Sequence, residues 1–234
     1  MRQLLPLVLA AAICGIVTPV LADDSLANFD GFYAGFLLTG LLPTDAGSFT
    51  STAPIPAGGP ASYSYSQTPT GTGYGIDVGY TYNFGGFDAG IVADYSRTIA
   101  ATKTYIDPAD SNDQDMVKVD AVGHLKALVG YPIDGFEPFV TGGIAMLQLD
   151  RSHQGAVDAA TPPTLNTWSQ GSTQFGASIG VGADLHVMDH VTYRIEATED
   201  FFPSQHTDWT ASPARSSDNQ VSMTSIRMAI NYQF

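Results

Sequence analysis

Cysteine is nearly absent from this sequence, because Cys14 is the only one among 234 residues. A single cysteine cannot form a disulfide bond within the chain. Basic residues are also few, with 9 Lys and Arg against 23 Asp and Glu and a formal net charge of −14. This balance argues against nucleic acid as a partner. Charged residues of both signs make up 14% of the chain, well below the roughly 25% that is typical of soluble domains.

Long hydrophobic runs are missing after the amino-terminal region, so the sequence contains no candidate transmembrane helix. Residues 1–22 have the features of a secretory signal peptide: Arg2 at the start, an apolar run from Leu4 to Ala12, and a small-residue cleavage site at Val20-Leu21-Ala22. We therefore expect 1–22 to be cleaved and 23–234 to form one domain. Cleavage would remove Cys14 and leave neither a disulfide nor a thiol nucleophile.

The last ten residues alternate strictly between apolar and polar side chains. Their apolar face carries Ile226, Met228, Ile230, Tyr232 and Phe234, and their polar face carries Ser225, Arg227, Ala229, Asn231 and Gln233. A period of two over about ten residues is what a β-strand needs to cross a bilayer. The pattern predicts a strand with lipid on one side and a barrel lumen on the other.

Both ends of the predicted domain resemble a known family. Arg227, Ala229, Tyr232 and Phe234 resemble the closing-strand signature of Gram-negative outer-membrane β-barrels, with Ala229 where Gly is usual. Residues 29–35 resemble the opening strand of the small outer-membrane β-barrel domain family (OmpA-like and opacity-type porin-family proteins), with Phe29 in place of Trp. The resemblance implies that the barrel-assembly machinery of the outer membrane reads the last strand.

Eight segments alternate in this way, although the first and fifth do so less clearly. Long connections at 41–71, 98–117, 150–171 and 202–220 alternate along the chain with tight turns near 85–86, 134–135 and 189. We expect an all-β fold, an eight-stranded antiparallel up-and-down transmembrane β-barrel with four long external loops and both termini in the periplasm. A soluble lipocalin-like barrel is the alternative, and it would turn its apolar face inward. The segments are 31–40, 73–84, 87–95, 118–131, 136–149, 174–187, 191–198 and 225–234.

Two turns fix strand registers. A two-residue turn at Gly85-Gly86 pairs Phe84 with Phe87 and, further along, Ile76 with Tyr95 and Asp77 with Asp94. A three-residue turn at 188–190 pairs Val187 with Val191 and places Asp184 opposite Arg194. The fifth segment carries apolar residues on both faces, which a β-bulge would reconcile, but the pattern does not fix its position.

The inward faces of the predicted strands collect charge. The interior of an eight-stranded barrel is nearly filled by its own side chains, so these charges predict a structural ion-pair plug, with a narrow gated pathway as the alternative. We expect Arg194 and Arg227 to neutralise the acidic residues, because Asp77 and Asp94 repel each other. The predicted lumen set is Asp77, Asp88, Asp94, Lys118, Asp120, His124, Lys126, Asp184, Arg194, Glu196 and Arg227.

Catalysis would need a nucleophile and a base close together, and no such pair appears at strand spacing. His153 and His206 lie near serines but in predicted loops, and His124 and His186 point inward without a serine two residues away. The sequence therefore predicts a non-enzymatic protein with no cofactor and no metal site. A cluster of Asp107, Asp110, Asp113 and Asp115 in the second loop predicts, at most, a bridge through divalent ions to lipopolysaccharide.

These features favour a structural protein of the outer membrane whose external loops serve surface interaction. The alternatives are a small diffusion pore and, less favoured, a lipid A-modifying enzyme. Expected partners are outer-membrane lipid, lipopolysaccharide, the barrel-assembly machinery and an unidentified external ligand.

Overall fold

A computed structural model describes residues 30–51, 62–99, 102–107, 110–156, 165–209 and 215–234. The predicted signal peptide at 1–22 lies outside these ranges. Within them the backbone forms eleven β-strands. The strands are β1 (Gly31–Ser51), β2 (Ser62–Gln67), β3 (Gly71–Asn83), β4 (Asp88–Ile99), β5 (Thr102–Asp107), β6 (Asp110–Gly130), β7 (Phe136–Ala156), β8 (Leu165–Met188), β9 (Val191–Phe201), β10 (Gln205–Trp209) and β11 (Arg215–Gln233).

Eight of these strands close into a barrel. Neighbours pair antiparallel in the order β1-β3-β4-β6-β7-β8-β9-β11, and β11 pairs with β1 from Tyr33 opposite Gln233 to Ser51 opposite Arg215. Closure leaves no free sheet edge in the wall. The predicted eight-stranded antiparallel barrel is confirmed. In the part of the chain that the structure describes, no helix is long and apolar enough to cross a membrane.

The outer face of the wall is apolar. On β11, Ile230 and Tyr232 are 60% and 50% exposed, whereas Arg227 and Asn231 are 3% and 1% exposed. This orientation is the reverse of a soluble lipocalin-like barrel, and it matches a wall surrounded by lipid. Exposed aromatic side chains lie near the tight turns, at Phe84, Phe87, Tyr131, Tyr232 and Phe234, and near the opposite end, at Tyr74, Tyr95, Phe175 and Phe201.

The β3–β4 hairpin has the predicted register. The Phe84 N–H donates to the Phe87 carbonyl at 2.9 Å, and the two rings stack with centroids 5.4 Å apart. Ile76 lies opposite Tyr95, and Asp77 lies opposite Asp94. Gly85 and Gly86 make the turn with φ of 81° and 145°, values that favour glycine.

The β8–β9 turn differs from the prediction. Met188 pairs with Val191, and the register shifts between His186 and Met188. The predicted Val187–Val191 pair is therefore wrong, because Val187 is the extra residue of a bulge before a two-residue turn. The bulge restores the register, so Asp184 still lies opposite Arg194 as predicted.

A second bulge lies in β6, where the register shifts between Val119 and Ala121. The extra residue reverses the alternation above it, so Val119 is buried at 1% exposure. Lys118 and Asp120 form an ion pair of 2.5 Å with side chains 48% and 30% exposed. The prediction that Lys118 and Asp120 face the lumen is wrong for this reason.

The four long connections are partly strand. β1, β6, β7, β8 and β11 continue beyond the predicted segments, and the short strands β2, β5 and β10 pair with β1, β6 and β11. The acidic residues of the second connection fall in β5 and β6, but their side chains lie outside the described part of the structure. The side chain of His153 also lies outside the described part of the structure. The proline-rich stretch of the first connection, 54–60, lies wholly outside it.

Candidate functional site

The half of the lumen nearer the tight turns is organised around Arg194. Its guanidinium donates to both carboxylate oxygens of Asp184, from Nε at 2.8 Å and from Nη2 at 2.6 Å. Its Nη1 donates to the Tyr33 hydroxyl at 2.7 Å and lies 3.6 Å from Asp77. The guanidinium carbon also lies 4.8 Å and 5.0 Å from the ring centroids of Tyr33 and Phe139. Arg194 therefore joins β1, β3, β7 and β8 across the barrel.

A second cluster lies further into the lumen. Lys126 donates to both oxygens of Glu196, at 2.7 Å and 2.6 Å, and the Thr141 hydroxyl donates to the same carboxylate at 2.6 Å. Asp94 lies 3.7 Å from Lys126 and forms an ion pair with Arg227. All four charged side chains are buried, with exposures of 8% or less. Four strands, β4, β6, β9 and β11, each supply one of these charges.

His124 sits between two carboxylates. Its Nδ1 lies 2.8 Å from Asp94, and its Nε2 lies 3.1 Å from Asp200. Arg227 also approaches Nδ1, at 2.5 Å. Asp200 is fully buried but is missing from the predicted lumen set, although continuing the alternation past Thr198 points to it.

The other predicted lumen residues are inside the barrel. The structure brings Asp77, Asp94, Lys126, Asp184, Arg194, Glu196 and Arg227 into the two clusters described above. Asp88 is also buried but stands apart, where it accepts a hydrogen bond of 2.6 Å from Asn83 near the β3–β4 turn. Glu137, absent from the predicted set, is buried close to Asp88.

An apolar layer lies above the charged clusters, toward the long connections. Leu147 and Met223 have no exposed surface, and Leu41, Val119 and Val122 have only 1%. The layer explains why the fifth predicted segment carries apolar residues on both faces. The strand β7 has no bulge and alternates regularly, but its inward face is itself apolar at Phe139, Leu147 and Leu149. The complete layer is Leu41, Val117, Val119, Val122, Ala145, Leu147, Leu149, Phe202, Val221 and Met223.

The described side chains show no group of three His, Cys, Asp or Glu that is arranged to hold a metal ion. His206 pairs with Asp218 at 2.6 Å on the exposed surface. His124, by contrast, is enclosed by the ionic cluster. What the lumen offers chemically is a fixed set of buried ion pairs beneath an apolar layer.

A closed antiparallel barrel with an apolar outer face and a polar, charged interior is a protein of the outer-membrane β-barrel class. The family model described as the outer membrane protein beta-barrel domain matches residues 8–234. The chain belongs to this family, and its location is the outer membrane. A search of curated protein sequences found no match.

Solved structures show the same fold. OprG from Pseudomonas aeruginosa has a TM-score of 0.56 at 12% identity, with 90% of this chain and 99% of that chain covered. The outer membrane protease OmpT from Escherichia coli has a TM-score of 0.50 at 9% identity, with 90% and 99% covered. At these identities the likeness concerns the fold alone.

Proposed function

We propose that this protein is a non-enzymatic structural component of the outer membrane whose lumen is closed by two stacked layers of side chains. The external strand extensions serve surface interaction. The observation that carries this proposal is the filling of the barrel, in which ion pairs from strands on different sides of the lumen lie beneath an apolar layer.

The charged layer supports closure because each of its ions has a partner in place. Buried charges are held when they are paired and hydrogen-bonded, and removing one partner is costly. Lys126 has no exposed side-chain surface, and Glu196 has 4%. An ion crossing the lumen would have to displace such pairs and then pass the apolar side chains above them, which cannot replace its water shell.

A small diffusion pore is the second candidate. It is favoured by buried polar atoms without a hydrogen-bond partner, among them Asp77 Oδ1, Ser178 Oγ and Asn231 Oδ1. Water at these positions would mark a hydrated path beside the ion pairs. A lipid A-modifying enzyme is the third candidate and is less favoured, because His124, the histidine buried among the lumen charges, has both ring nitrogens occupied by carboxylates.

The orientation follows the family pattern, with both termini and the tight turns in the periplasm and the long connections outside. The closing strand would be the signal for the barrel-assembly machinery, with Arg227, Ala229, Tyr232 and Phe234 as its elements. Phe234 is 76% exposed, and its N–H donates to the Phe32 carbonyl at 2.9 Å. A carboxy-terminal aromatic ring that stays accessible at the β1–β11 seam suits recognition during insertion.

Single-channel recording of the refolded protein in a planar bilayer tests the proposal. We expect a protein that is inserted, as a boiling-sensitive band on a detergent gel would show, yet electrically silent. Discrete and reproducible steps that change on Asp94→Asn would instead support the pore. Mass spectrometry of lipid A from cells with and without the gene addresses the enzyme, and an altered lipid A would contradict the non-enzymatic proposal.

A further inference from the structure

The β6 bulge brings two cations together on the outside of the barrel. Lys118 points outward only because the alternation reverses between Val119 and Ala121. Arg97 points outward on β4, where it lies opposite Tyr74, a residue 55% exposed. Arg97 lies opposite Ala121 on β6, and Lys118 lies three residues from Ala121 on the same strand, so the two cations stand on neighbouring strands within reach of each other's charge. Of the Lys and Arg side chains that the structure describes, these two alone are exposed.

Neighbouring aromatic side chains indicate the position of this pair along the barrel axis. Arg97 lies two residues beyond Tyr95 and directly beside Tyr74, both of which belong to the exposed aromatic group farther from the tight turns. Aromatic girdles mark the level of a membrane–water interface. Two residues of a tilted strand rise about 5 Å, so Arg97 reaches the level of lipid headgroups.

Hydroxyl groups extend the same surface. Thr102 on β5 is the direct cross-strand partner of Lys118, and Thr104 is the partner of Met116. Thr102 and Thr104 are exposed, and Met116 is 40% exposed. The surface therefore combines a guanidinium and an ammonium, which bind phosphate, with two hydroxyls and an apolar side chain beside them.

We propose that Arg97 and Lys118, with Thr102 and Thr104, form an external binding site for a phosphate of lipid A in the outer leaflet. Asp120 holds one N–H of Lys118 at 2.5 Å, and Asp150 lies opposite Lys118 on β7. An ammonium has three N–H donors, so Lys118 keeps Asp120 and donates to the phosphate as well. The site rests on the proposed orientation, which places the long connections outside the cell.

Binding of lipid A by the refolded protein in phosphatidylcholine vesicles tests the site. The probe is lipid A carrying both phosphates, and lipid A without phosphates and phosphatidylglycerol are compared with it. Removing two cations that each attract an anionic lipid is expected to weaken binding of the Arg97→Gln/Lys118→Gln variant about 30-fold. Phosphate-free lipid A is expected to bind equally to both proteins. Equal affinity of the native protein for phosphatidylglycerol and bisphosphorylated lipid A would overturn the assignment.

The matched control adds the same change in net charge elsewhere on the outer surface, through Thr173→Glu and Gln220→Glu at two exposed positions. It is expected to retain most of the affinity. An equal loss in the control would show that total charge, not this site, governs binding. A boiling-sensitive band for each variant shows that the barrel has formed.

Asp120→Asn separates direct contact from a metal bridge. If Lys118 meets the phosphate directly, removing the competing carboxylate is expected to tighten binding two- to threefold. Weaker binding in this variant, together with loss of native binding on adding EDTA, would overturn direct contact in favour of a divalent ion held by Asp120. These results do not depend on conductance, so a barrel that conducts, against the proposed function, still tests the site.

Discussion

The Arg194 guanidinium contacts two carboxylates, a phenol and two aromatic rings. Truncation to alanine would leave Asp184 and Asp77 buried without their cation, at 3% exposure each. Breaking a buried ion pair from one side costs about 3–5 kcal/mol. We expect Arg194→Ala to lower the free energy of unfolding by this amount, measured by urea titration of the refolded protein in lipid vesicles.

The control for this residue is Thr192→Ala, which changes a buried inward side chain on the same strand without orphaning a charge. Its expected cost is about 1 kcal/mol. A second variant, Arg194→Met with Asp184→Asn, removes both ends of the closest pair and is expected to recover part of the loss. If Arg194→Ala were as stable as the native protein, the ion pairs would contribute nothing to holding the barrel.

Single residues also show what could be predicted from the sequence. Asp77 and Asp94 could be placed opposite each other because Gly85-Gly86 defines the turn, and every later pair follows by counting. Lys118 could not be placed, because charged residues at 118 and 120 continue the pattern of the inward face. Only the packing of Val119 in the apolar layer reveals that the alternation has reversed.

At the scale of one strand, the bulge in β6 makes a prediction about length. Deleting Asp120 would remove the extra residue and leave Val119 inward and Lys118 outward in a regular strand. We expect this deletion to be tolerated, with a boiling-sensitive folded band on a detergent gel and a small change in stability. The matched control deletes Ala127, within a stretch that pairs regularly on both sides.

The control deletion is expected to abolish the folded band, because a one-residue slip exchanges the lipid and lumen faces of the strand on one side of the gap. Similar yields from the two deletions would show that β6 has no defined bulge. Thiol labelling reports the faces independently: in the mature chain, which lacks cysteine if 1–22 is cleaved, Lys118→Cys should react with a polar reagent faster than Val119→Cys.

The predicted strands were right where one face was purely apolar and wrong beside the bulges. The β8–β9 hairpin shows why, since its turn was misplaced by one residue at Val187 while the Asp184–Arg194 pair was correct. A bulge beside a turn changes the length of the turn but not the pairing of the rest of the two strands. The alternation of apolar and polar residues therefore does not reveal the bulge. In β7 the opposite holds: apolar residues on both faces suggested an irregular strand, although the strand is regular and its lumen side is apolar.

At the scale of the whole molecule, the proposed closure of the lumen by two layers in series predicts how the barrel would open. Removing the apolar layer alone, through Leu147→Ala and Met223→Ala, leaves the charged layer intact. Removing both partners of an ion pair, through Lys126→Ala and Glu196→Ala, leaves the apolar layer intact. Neither of these two residues is then left charged without the other. Each double variant is expected to stay silent in a planar bilayer.

Only the variant with all four substitutions is expected to conduct, because both barriers along the lumen are then lowered together. Large-to-small changes in a filled interior leave cavities that neighbouring groups close incompletely, and water entering both layers would form a continuous path. If the apolar double variant conducted as strongly as the fourfold variant, the ion pairs would be passable and the lumen would have one barrier. If instead the Lys126→Ala/Glu196→Ala variant conducted as strongly as the fourfold variant, the ion pairs alone would close the lumen.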